Sequence, residues 1–177
     1  MEKINIQYFE TKFGEIILGS FHEKLCLCDW RFRKMRESID KRITNGLQSD
    51  FEFCETEIIN KTKIQLLEYF DCQRKEFSIP LLFVGTDFQK TVWTELLNVT
   101  YGKTDTYLGL STKLNNIKAI RAVASANGAN AISIIVPCHR IIGSNGELVG
   151  YAGGLTAKKK LLELEGKEMQ TKLNLFM

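Results

Sequence analysis

Three side chains capable of chemistry, Cys138, His139 and Arg140, follow one another directly after Pro137. A thiolate is a nucleophile, but a thiol of ordinary pKa is mostly protonated at neutral pH and needs a base. His139 is such a base, and it is one of only two histidines in the chain. The apolar run at residues 134–136 predicts a buried strand that ends at the proline, because proline cannot continue a ladder.

The histidine can act on the thiol only under certain geometries. Adjacent side chains on a strand point to opposite faces, so His139 reaches Cys138 only if a turn follows Pro137 or a water bridges the two. Glu165 is the candidate that orients the histidine. It would end a final helix at residues 157–165, where the helix dipole disfavours a carboxylate that has no other purpose. On these residues alone, a small core cysteine and a solvated glutamate remain an open alternative.

The elements before residue 85 predict a small α/β unit. Loose alternation of apolar and polar residues from 4 to 30 predicts a meander of strands. Residues 31–42 form a basic connecting stretch or an exposed helix, which Asn45-Gly46 is expected to break. A helical pattern covers residues 55–70, and residues 77–84, which include a proline, indicate an extended connector.

Cys26 and Cys28 alternate on one predicted strand, so we expect both on one face of the sheet. As metal ligands they need two more partners, and only His22 is close in sequence. The favoured interpretation is that both are small core residues.

The residues from 85 onward predict a mostly helical part. Thr86 and Gln89 have the spacing of a capping box at the start of a first helix. Residues 106–114 form a second helix, and Asn115-Asn116 are expected to cap a third at residues 117–127. Two short helices joined by a tight turn are typical of a helix-turn-helix, although ordinary helical packing gives the same pattern.

The predicted third helix has a slim surface from which Arg121 projects. Its small residues are Ala119, Ala122, Ala124, Ser125 and Ala126. Farther along, residues 143–146 predict a hairpin turn, and residues 150–154 form a glycine-rich loop able to close on a flat ligand. Thr156 is predicted to cap the final helix and Gly166 to follow its end.

Charge and cysteine content narrow the function classes. The net charge is only +3, but between residues 101 and 160 only Asp105 and Glu147 are acidic. The basic residues there are Lys103, Lys113, Lys118, Arg121, Arg140, Lys158, Lys159 and Lys160. This skew fits either a polyanionic partner or a solvated helix face.

No apolar run is long enough to span a bilayer, and the first residues lack the order of a secretion signal. The five cysteines are therefore expected to be free thiols in a reducing compartment, which predicts a cytoplasmic protein, nucleoid-associated if bacterial.

Seven short segments together resemble the O6-alkylguanine-DNA alkyltransferase family, in order and without evident gaps from about Gly85 to Gly166. They are Gly85-Thr86-Asp87-Phe88-Gln89, Val92-Trp93, Tyr101-Gly102, Arg121-Ala122-Val123, Ala126-Asn127-Gly128-Ala129-Asn130, Pro137-Cys138-His139-Arg140 and Gly150-Tyr151-Ala152-Gly153-Gly154-Leu155. The N-terminal part resembles, more weakly, the ribonuclease-H-like domain of that family. The resemblance implies an α/β protein with a ribonuclease-H-like domain at residues 1–84. A DNA-binding and alkyl-transfer domain with a helix-turn-helix would occupy residues 85–177.

The resemblance also implies a role for each of four catalytic residues. Cys138 would accept an alkyl group from O6 of guanine, and also from O4 of thymine, in DNA. His139, through a water, and Glu165 would form the relay that generates the thiolate. Asn130 would tie the helix-turn-helix to the active segment.

Five further residues would contact DNA or the damaged base. Arg121 would enter the base stack, and Tyr107 would crowd the phosphate of the target nucleotide. Tyr151 would wall the guanine pocket, while Asn116 and Ser144 would touch the DNA backbone.

The implied partner is double-stranded DNA that contains alkylated guanine, bound through its minor groove with the damaged base flipped out. A slim helix suits a narrow groove with little sequence information, and a base must leave the duplex before a thiolate can approach it. A thioether product offers no carbonyl to water, so we expect one turnover per molecule. No cofactor, metal or membrane is expected, and the protein is expected to be a monomer.

Three positions depart from the usual pattern of the family. Ala131 and Thr100 stand where proline is usual, and Ala152 stands where many members have a serine able to donate to O6. The last departure could leave that contact to backbone N–H groups and alter the substrate range.

Three rival functions differ in what they require. A binder of alkylated bases that recruits other repair would lack Cys138. A transcription factor of the adaptive-response type would carry a zinc-binding module before Ile4. A cysteine hydrolase with a Cys-His-Glu set would turn over repeatedly on acyl substrates.

Overall fold

A computed structural model describes the backbone of residues 2–173 and the side chains of residues 2–166. The strands β1 (Ile4–Thr11), β2 (Gly14–Phe21) and β3 (Lys24–Trp30) form the predicted antiparallel meander. A short strand, β4 (Phe51–Phe53), pairs in parallel with β1, so the sheet is mixed with the order β3-β2-β1-β4.

Two helices accompany this sheet. The predicted break at Asn45-Gly46 is wrong, because both residues lie inside α1 (Arg36–Leu47), which buries Ile39 and Ile43. A Cβ at position 46 would lie 2.5 Å from Val84 Cγ1, so glycine permits a close approach that offsets its poor helix propensity. The second helix, α2 (Glu57–Phe70), is confirmed. Residues 77–84 form the expected extended connector.

The second half begins with three helices: α3 (Asp87–Leu96), α4 (Tyr107–Lys113) and α5 (Ile120–Gly128). The capping box before α3 is confirmed, with Thr86 Oγ1 accepting from the Gln89 N–H and the Gln89 side chain accepting from the Thr86 N–H. The predicted third helix starts later than expected. Asn116 makes no side-chain cap, and a 3-10 turn at Ile117–Ala119 precedes α5.

The predicted strand before Pro137 is wrong. Residues 129–137 form an irregular loop with only isolated bridges, and Ile134 adopts a φ of 73°. The short strands β5 (Asp105–Thr106) and β6 (Ile141–Ile142) pair with each other in parallel, and β6 directly follows the residues Cys138–Arg140. The turn at residues 143–146 is present, but no described strand follows it to complete a hairpin.

The final helix, α6 (Leu155–Leu173), is longer than predicted. Thr156 lies inside its first turn rather than capping it, and the helix continues through Gly166. Glu165 is therefore an interior residue of the helix, and the prediction that it ends the helix is wrong. Residues 174–177 of the predicted second domain lie outside the described residues.

The larger hydrophobic cluster contains residues from both halves of the chain, including Leu18, Leu66, Trp93, Val123 and Leu161. The two halves thus share a core, and the division at residue 85 stays a prediction.

The expectation that Cys26 and Cys28 share a face is wrong. The pairing of β2 with β3 shifts register between Gly19 and Ser20, which leaves Cys26 as an extra residue on β3. Cys28 packs in the larger cluster, while Cys26 packs in a second cluster with Ile4 and Leu27.

Within the described part of the chain, no helix has the length and apolar character needed to cross a bilayer.

Candidate active site

Cys138 opens a 3-10 turn, Cys138–Arg140, directly after Pro137. This turn is one of the two geometries that the sequence required for the histidine to serve the thiol. The cysteine is only 3% exposed, yet it lines a groove of about 840 Å³. The sulfur is thus shielded from bulk water but belongs to the wall of a cavity large enough for a nucleobase.

Asn130, in the loop that precedes Cys138, holds the sulfur of that cysteine in place. Its Nδ2 donates to Cys138 Sγ at 3.2 Å and to the carbonyl of Val136 at 3.0 Å, while its Oδ1 accepts from the Ile132 N–H at 2.9 Å. One buried amide thereby holds the loop and the sulfur in a single arrangement. The role that the resemblance implies for Asn130, tying the helix-turn-helix to the active segment, stays a prediction.

His139 and Glu165 form a buried pair. His139 Nε2 lies 2.8 Å from Glu165 Oε1, and the two side chains are 0% and 1% exposed. An ionised carboxylate only accepts, so Nε2 must carry the proton and Nδ1 is left as the basic atom of a neutral imidazole. Nδ1 is buried and has no partner among the described residues. Its free lone pair is available to a bridging water or to the thiol.

Glu165 is held by more donors than the sequence suggested. Arg140 donates from Nε to Oε2 and from Nη2 to Oε1, both at 2.9 Å. Tyr69 of α2 donates to Oε1 at 2.6 Å, and the Gly102 N–H donates to Oε2 at 3.3 Å. The orientation of the carboxylate is therefore fixed from both halves of the chain.

The protonation states follow from these contacts. Burial alone would raise the pKa of Glu165, but hydrogen bonds and charge from His139 and Arg140 lower it to about 2. Burial lowers the pKa of His139 despite the neighbouring carboxylate. Burial also raises the pKa of Cys138, and the Asn130 hydrogen bond opposes that rise. The resting site is a neutral thiol, a neutral imidazole and an ionised carboxylate.

The groove has aromatic and glycine-rich walls. Tyr107 and Tyr151 both line it, and Tyr107 donates to the Val149 carbonyl at 3.3 Å. The roles implied for them, Tyr107 at the phosphate and Tyr151 at the guanine, stay predictions. A Cβ at position 153 would lie 2.5 Å from the ring of Trp30, so this glycine lets the loop lie directly on the indole. Ala152, one of the departures from the family pattern, also lines the groove and offers no side-chain donor there.

Three predicted DNA-contacting residues lie elsewhere. Arg121, Asn116 and Ser144 are exposed and do not line the groove. Helix α5 connects Arg121 to the groove, since its Ala124 and Asn127 line the groove while Arg121 lies one turn earlier. The slim exposed surface predicted for this helix is present around Arg121, because Ala122 and Ser125 are exposed.

Sequence reasoning missed the contribution of the first half. Trp30, Phe32, Arg33 and Met35 line the same groove as Cys138, and Asp29 is fully buried beside them. A weak signal was available, since an acidic residue within an apolar strand and an arginine four residues later suggest a buried ion pair.

A second missed residue is Lys158 of α6, which is fully buried. Its Nζ donates to the carbonyls of Ile141 at 2.5 Å, Val149 at 2.9 Å and Gly150 at 3.3 Å. The ammonium thus fixes the start of the glycine-rich loop.

Several buried polar atoms around the groove have no hydrogen-bond partner within residues 2–166. Besides His139 Nδ1, these are Trp30 Nε1, Asn127 Oδ1 and Tyr151 Oη. Such atoms are costly unless a water or ligand satisfies them, so the groove suits a polar, flat ligand. Among residues 2–166, no group of three or more His, Cys, Asp or Glu side chains is arranged to hold a metal.

Comparison with known proteins gives consistent matches. A sequence profile described as 6-O-methylguanine DNA methyltransferase, DNA binding domain, matches residues 87–167. The chain is 41% identical over 159 residues to the methylated-DNA–protein-cysteine methyltransferase of Methanosarcina acetivorans, which covers 89% of this chain and 96% of that protein. It is 48% identical over 112 residues to the protein of the same name from Mycobacterium leprae, which covers 63% of this chain and 68% of the relative.

The fold is similar to that of Mycobacterium tuberculosis OGT, which was solved in complex with DNA. The TM-score is 0.79 at 33% identity, over 92% of this chain and 93% of that one.

Proposed function

The chain belongs to the 6-O-methylguanine DNA methyltransferase family, and from this premise we propose that Cys138 is the residue that receives the alkyl group. The activity of the family is DNA repair by transfer of an alkyl group to a cysteine of the protein itself, and it is the activity of this chain. The observation that carries the assignment is that Cys138 lines the groove while Asn130, His139 and Glu165 assemble behind it.

The thiolate forms by proton transfer to His139. Glu165 holds the imidazole with its proton on Nε2, so Nδ1 accepts the thiol proton through a bridging water. The carboxylate then stabilises the imidazolium. The Asn130 amide donates to the sulfur and stabilises its negative charge.

The transfer is an in-line displacement. The S–C bond forms as the C–O6 bond breaks, the electron pair of the broken bond stays on the guanine oxygen, and the guanine regains the proton that the thiol lost. The product is a thioether, which has no carbonyl for water to attack, so each molecule acts once. O4 of thymine presents the same type of bond and is a second substrate in this proposal.

DNA binding is assigned to the second half. Helices α4 and α5 form a helix-turn-helix whose slim α5 surface enters the minor groove. Arg121 fills the stack where the damaged base was, and Tyr107 crowds the phosphate so that the nucleotide rotates out. Asn116 and Ser144 contact the DNA backbone. Tyr151 and the glycines after it wall the slot that receives the guanine.

The first half is assigned as a ribonuclease-H-like domain at residues 1–84, supported by its β-β-β-α-β-α order and by the mixed sheet. A monomeric state and a location in the cytoplasm remain predictions from the sequence.

Mass spectrometry tests the proposed function directly. After incubation with duplex DNA that contains O6-methylguanine, the protein is expected to gain the mass of one methylene unit, mapped to the peptide that holds Cys138. Repeated release of an unmodified protein would instead indicate a hydrolase. An unaltered mass would contradict the assignment.

Arg121→Ala is expected to slow repair of duplex DNA by about tenfold or more, because nothing then replaces the extruded base in the stack. Its reaction with free O6-benzylguanine should change by less than about twofold, since no base is flipped there. Single-turnover rates on both substrates provide the measurement.

Lys118→Ala is the matched control, because Lys118 is another exposed cation just before α5. If Lys118→Ala produced the same loss on duplex DNA, the effect of Arg121 would be one of general charge, and its role in the stack would be refuted.

A further inference from the structure

Four consecutive backbone carbonyls accept hydrogen bonds from the first half of the chain. They run from Gly128, the last residue of α5, to Ala131 in the irregular loop that precedes Cys138. Arg33 donates to the carbonyls of Gly128 at 2.5 Å and Asn130 at 3.1 Å. The other two carbonyls, those of Ala129 and Ala131, accept from Arg42 Nη2 at 2.8 Å and from the Cys28 N–H at 2.9 Å. The loop has no regular structure of its own, so these donors decide its path.

Arg33 is itself held by a buried carboxylate. Its Nη1 lies 3.1 Å and 2.9 Å from the two oxygens of Asp29, and the two side chains are 4% and 0% exposed. Asp29 also accepts from Arg36 Nη1 at 2.9 Å and from Ser133 Oγ at 3.0 Å. Arg36 shares the carboxylate with Arg33, but it otherwise donates to Asp40 and to the Trp30 carbonyl rather than to the loop.

Arg33 is linked to the sulfur of Cys138 through a single residue, Asn130. Arg33 fixes the carbonyl of Asn130, and the side chain of Asn130 donates to Cys138 Sγ at 3.2 Å. A shift of the loop would therefore move the amide that sets the sulfur. Arg33 also lines the groove beside Cys138.

We propose that Arg33, oriented by Asp29, is a positioning residue for alkyl transfer, acting from the first half of the chain through Asn130 on Cys138. This inference rests on the proposed function of Cys138. It gives the first half a direct part in the reaction, because hydrogen bonds from residues 28–42 hold the loop that presents the nucleophile.

The charges around the sulfur support the same assignment. Burial has the largest effect on the pKa of Cys138 and raises it. Among the charged groups, Asp29 also raises this pKa, while Arg33 and Lys158 lower it. The remaining titratable neighbour in the relay is His139, which burial keeps neutral. Loss of Arg33 would leave the negative charge of Asp29 with less compensating positive charge, so the thiol should titrate at higher pH.

The test compares Arg33→Met with Arg36→Met. Each variant removes one guanidinium from Asp29, but only the first removes donors from the loop. The reaction with free O6-benzylguanine is measured so that DNA binding plays no part, and the pH dependence of Cys138 alkylation by iodoacetamide reports the thiol.

Arg33→Met is expected to lose about 10²-fold in rate, the size of effect that a misplacement of about 1 Å can produce, and its thiol should titrate at higher pH. Arg36→Met should lose much less. Equal losses in the two variants, or an unchanged rate in Arg33→Met, would overturn the proposal.

Arg33→Lys keeps the inference testable if Arg33→Met does not fold. An ammonium preserves the charge beside Asp29 but cannot fork between two carbonyls and a carboxylate as the guanidinium does. We expect a thiol titration close to that of the wild type together with a rate that is still reduced. A fully restored rate would show that charge alone matters and would overturn the positioning role.

Wild-type protein run in parallel distinguishes a failure of the proposed function from a failure of the inference about Arg33. If the wild type is not alkylated at Cys138, the proposed function fails. If it is alkylated and the arginine variants do not differ, only the inference about Arg33 fails.

Discussion

Replacement of Cys138 by alanine is expected to abolish alkyl transfer while leaving DNA binding intact. The sulfur is the only atom in this proposal that forms a bond to the alkyl group. The neighbouring thiol of Cys28 is fully buried and does not line the groove. The surfaces assigned to DNA binding lie on α4, α5 and the turn at residues 143–146, which the substitution does not touch. Transfer of label from alkylated DNA and a gel-shift assay on the same preparation measure the two properties.

The chain supplies its own control cysteines. Cys54 and Cys72 are free and exposed, and neither lines the groove. Cys54→Ala and Cys72→Ala should accept label as the wild type does. Label on the Cys138→Ala protein would mean that the acceptor is another residue, and loss of DNA binding in that variant would mean that the substitution disturbs more than the nucleophile.

Replacement of Glu165 by glutamine is expected to slow alkylation by about 10²-fold, within the range that general acid–base catalysis contributes. The charges that act directly on Cys138 are those of Asp29, Arg33 and Lys158, so Glu165 acts through His139. Without the carboxylate, the imidazolium loses its counter-charge beside Arg140, and proton transfer from the thiol becomes less favourable. The rate of reaction with free O6-benzylguanine as a function of pH provides the measurement.

Glu163→Gln is the matched control, because Glu163 lies on the same helix, is exposed and faces Lys159 at 3.8 Å. It should react at the wild-type rate. An unchanged rate and an unchanged thiol titration in Glu165→Gln would exclude the relay.

Glu165→Gln should also change the stability of the protein in acid. The pKa of Glu165 is lowered to about 2 from 4.5, so its contribution is present above the unfolded pKa and is lost as the pH falls from about 4.5 to about 2. That shift corresponds to about 3 kcal/mol, similar to the cost of leaving Arg140 buried without its partner. Glu165→Gln should therefore unfold more easily at neutral pH and show less additional loss at low pH, as thermal melts can measure.

The amino-acid sequence by itself indicated most of the local elements and the cysteine that we propose as the nucleophile. Alternation fixed the three-strand meander, and the spacing of Thr86 and Gln89 fixed the start of α3, because such patterns express interactions between residues close in sequence. Cys138, His139 and the motifs around them were sufficient to indicate the family. Local patterns were misleading where a distant contact mattered, as at Gly46, which packs against Val84 inside a helix.

Only the tertiary structure decided how the site is held. Residues 134–136 were mistaken for a strand because they are apolar and buried. They lie instead in an irregular loop, where Ile134 has a φ of 73° and the Val136 carbonyl accepts from Asn130 Nδ2 and from the Cys138 N–H. Glu165 reaches His139 from the interior of a helix, and Tyr69 reaches Glu165 across 96 residues of chain. Burial and partnership of this kind depend on which residues the whole fold brings together, and no local periodicity records that.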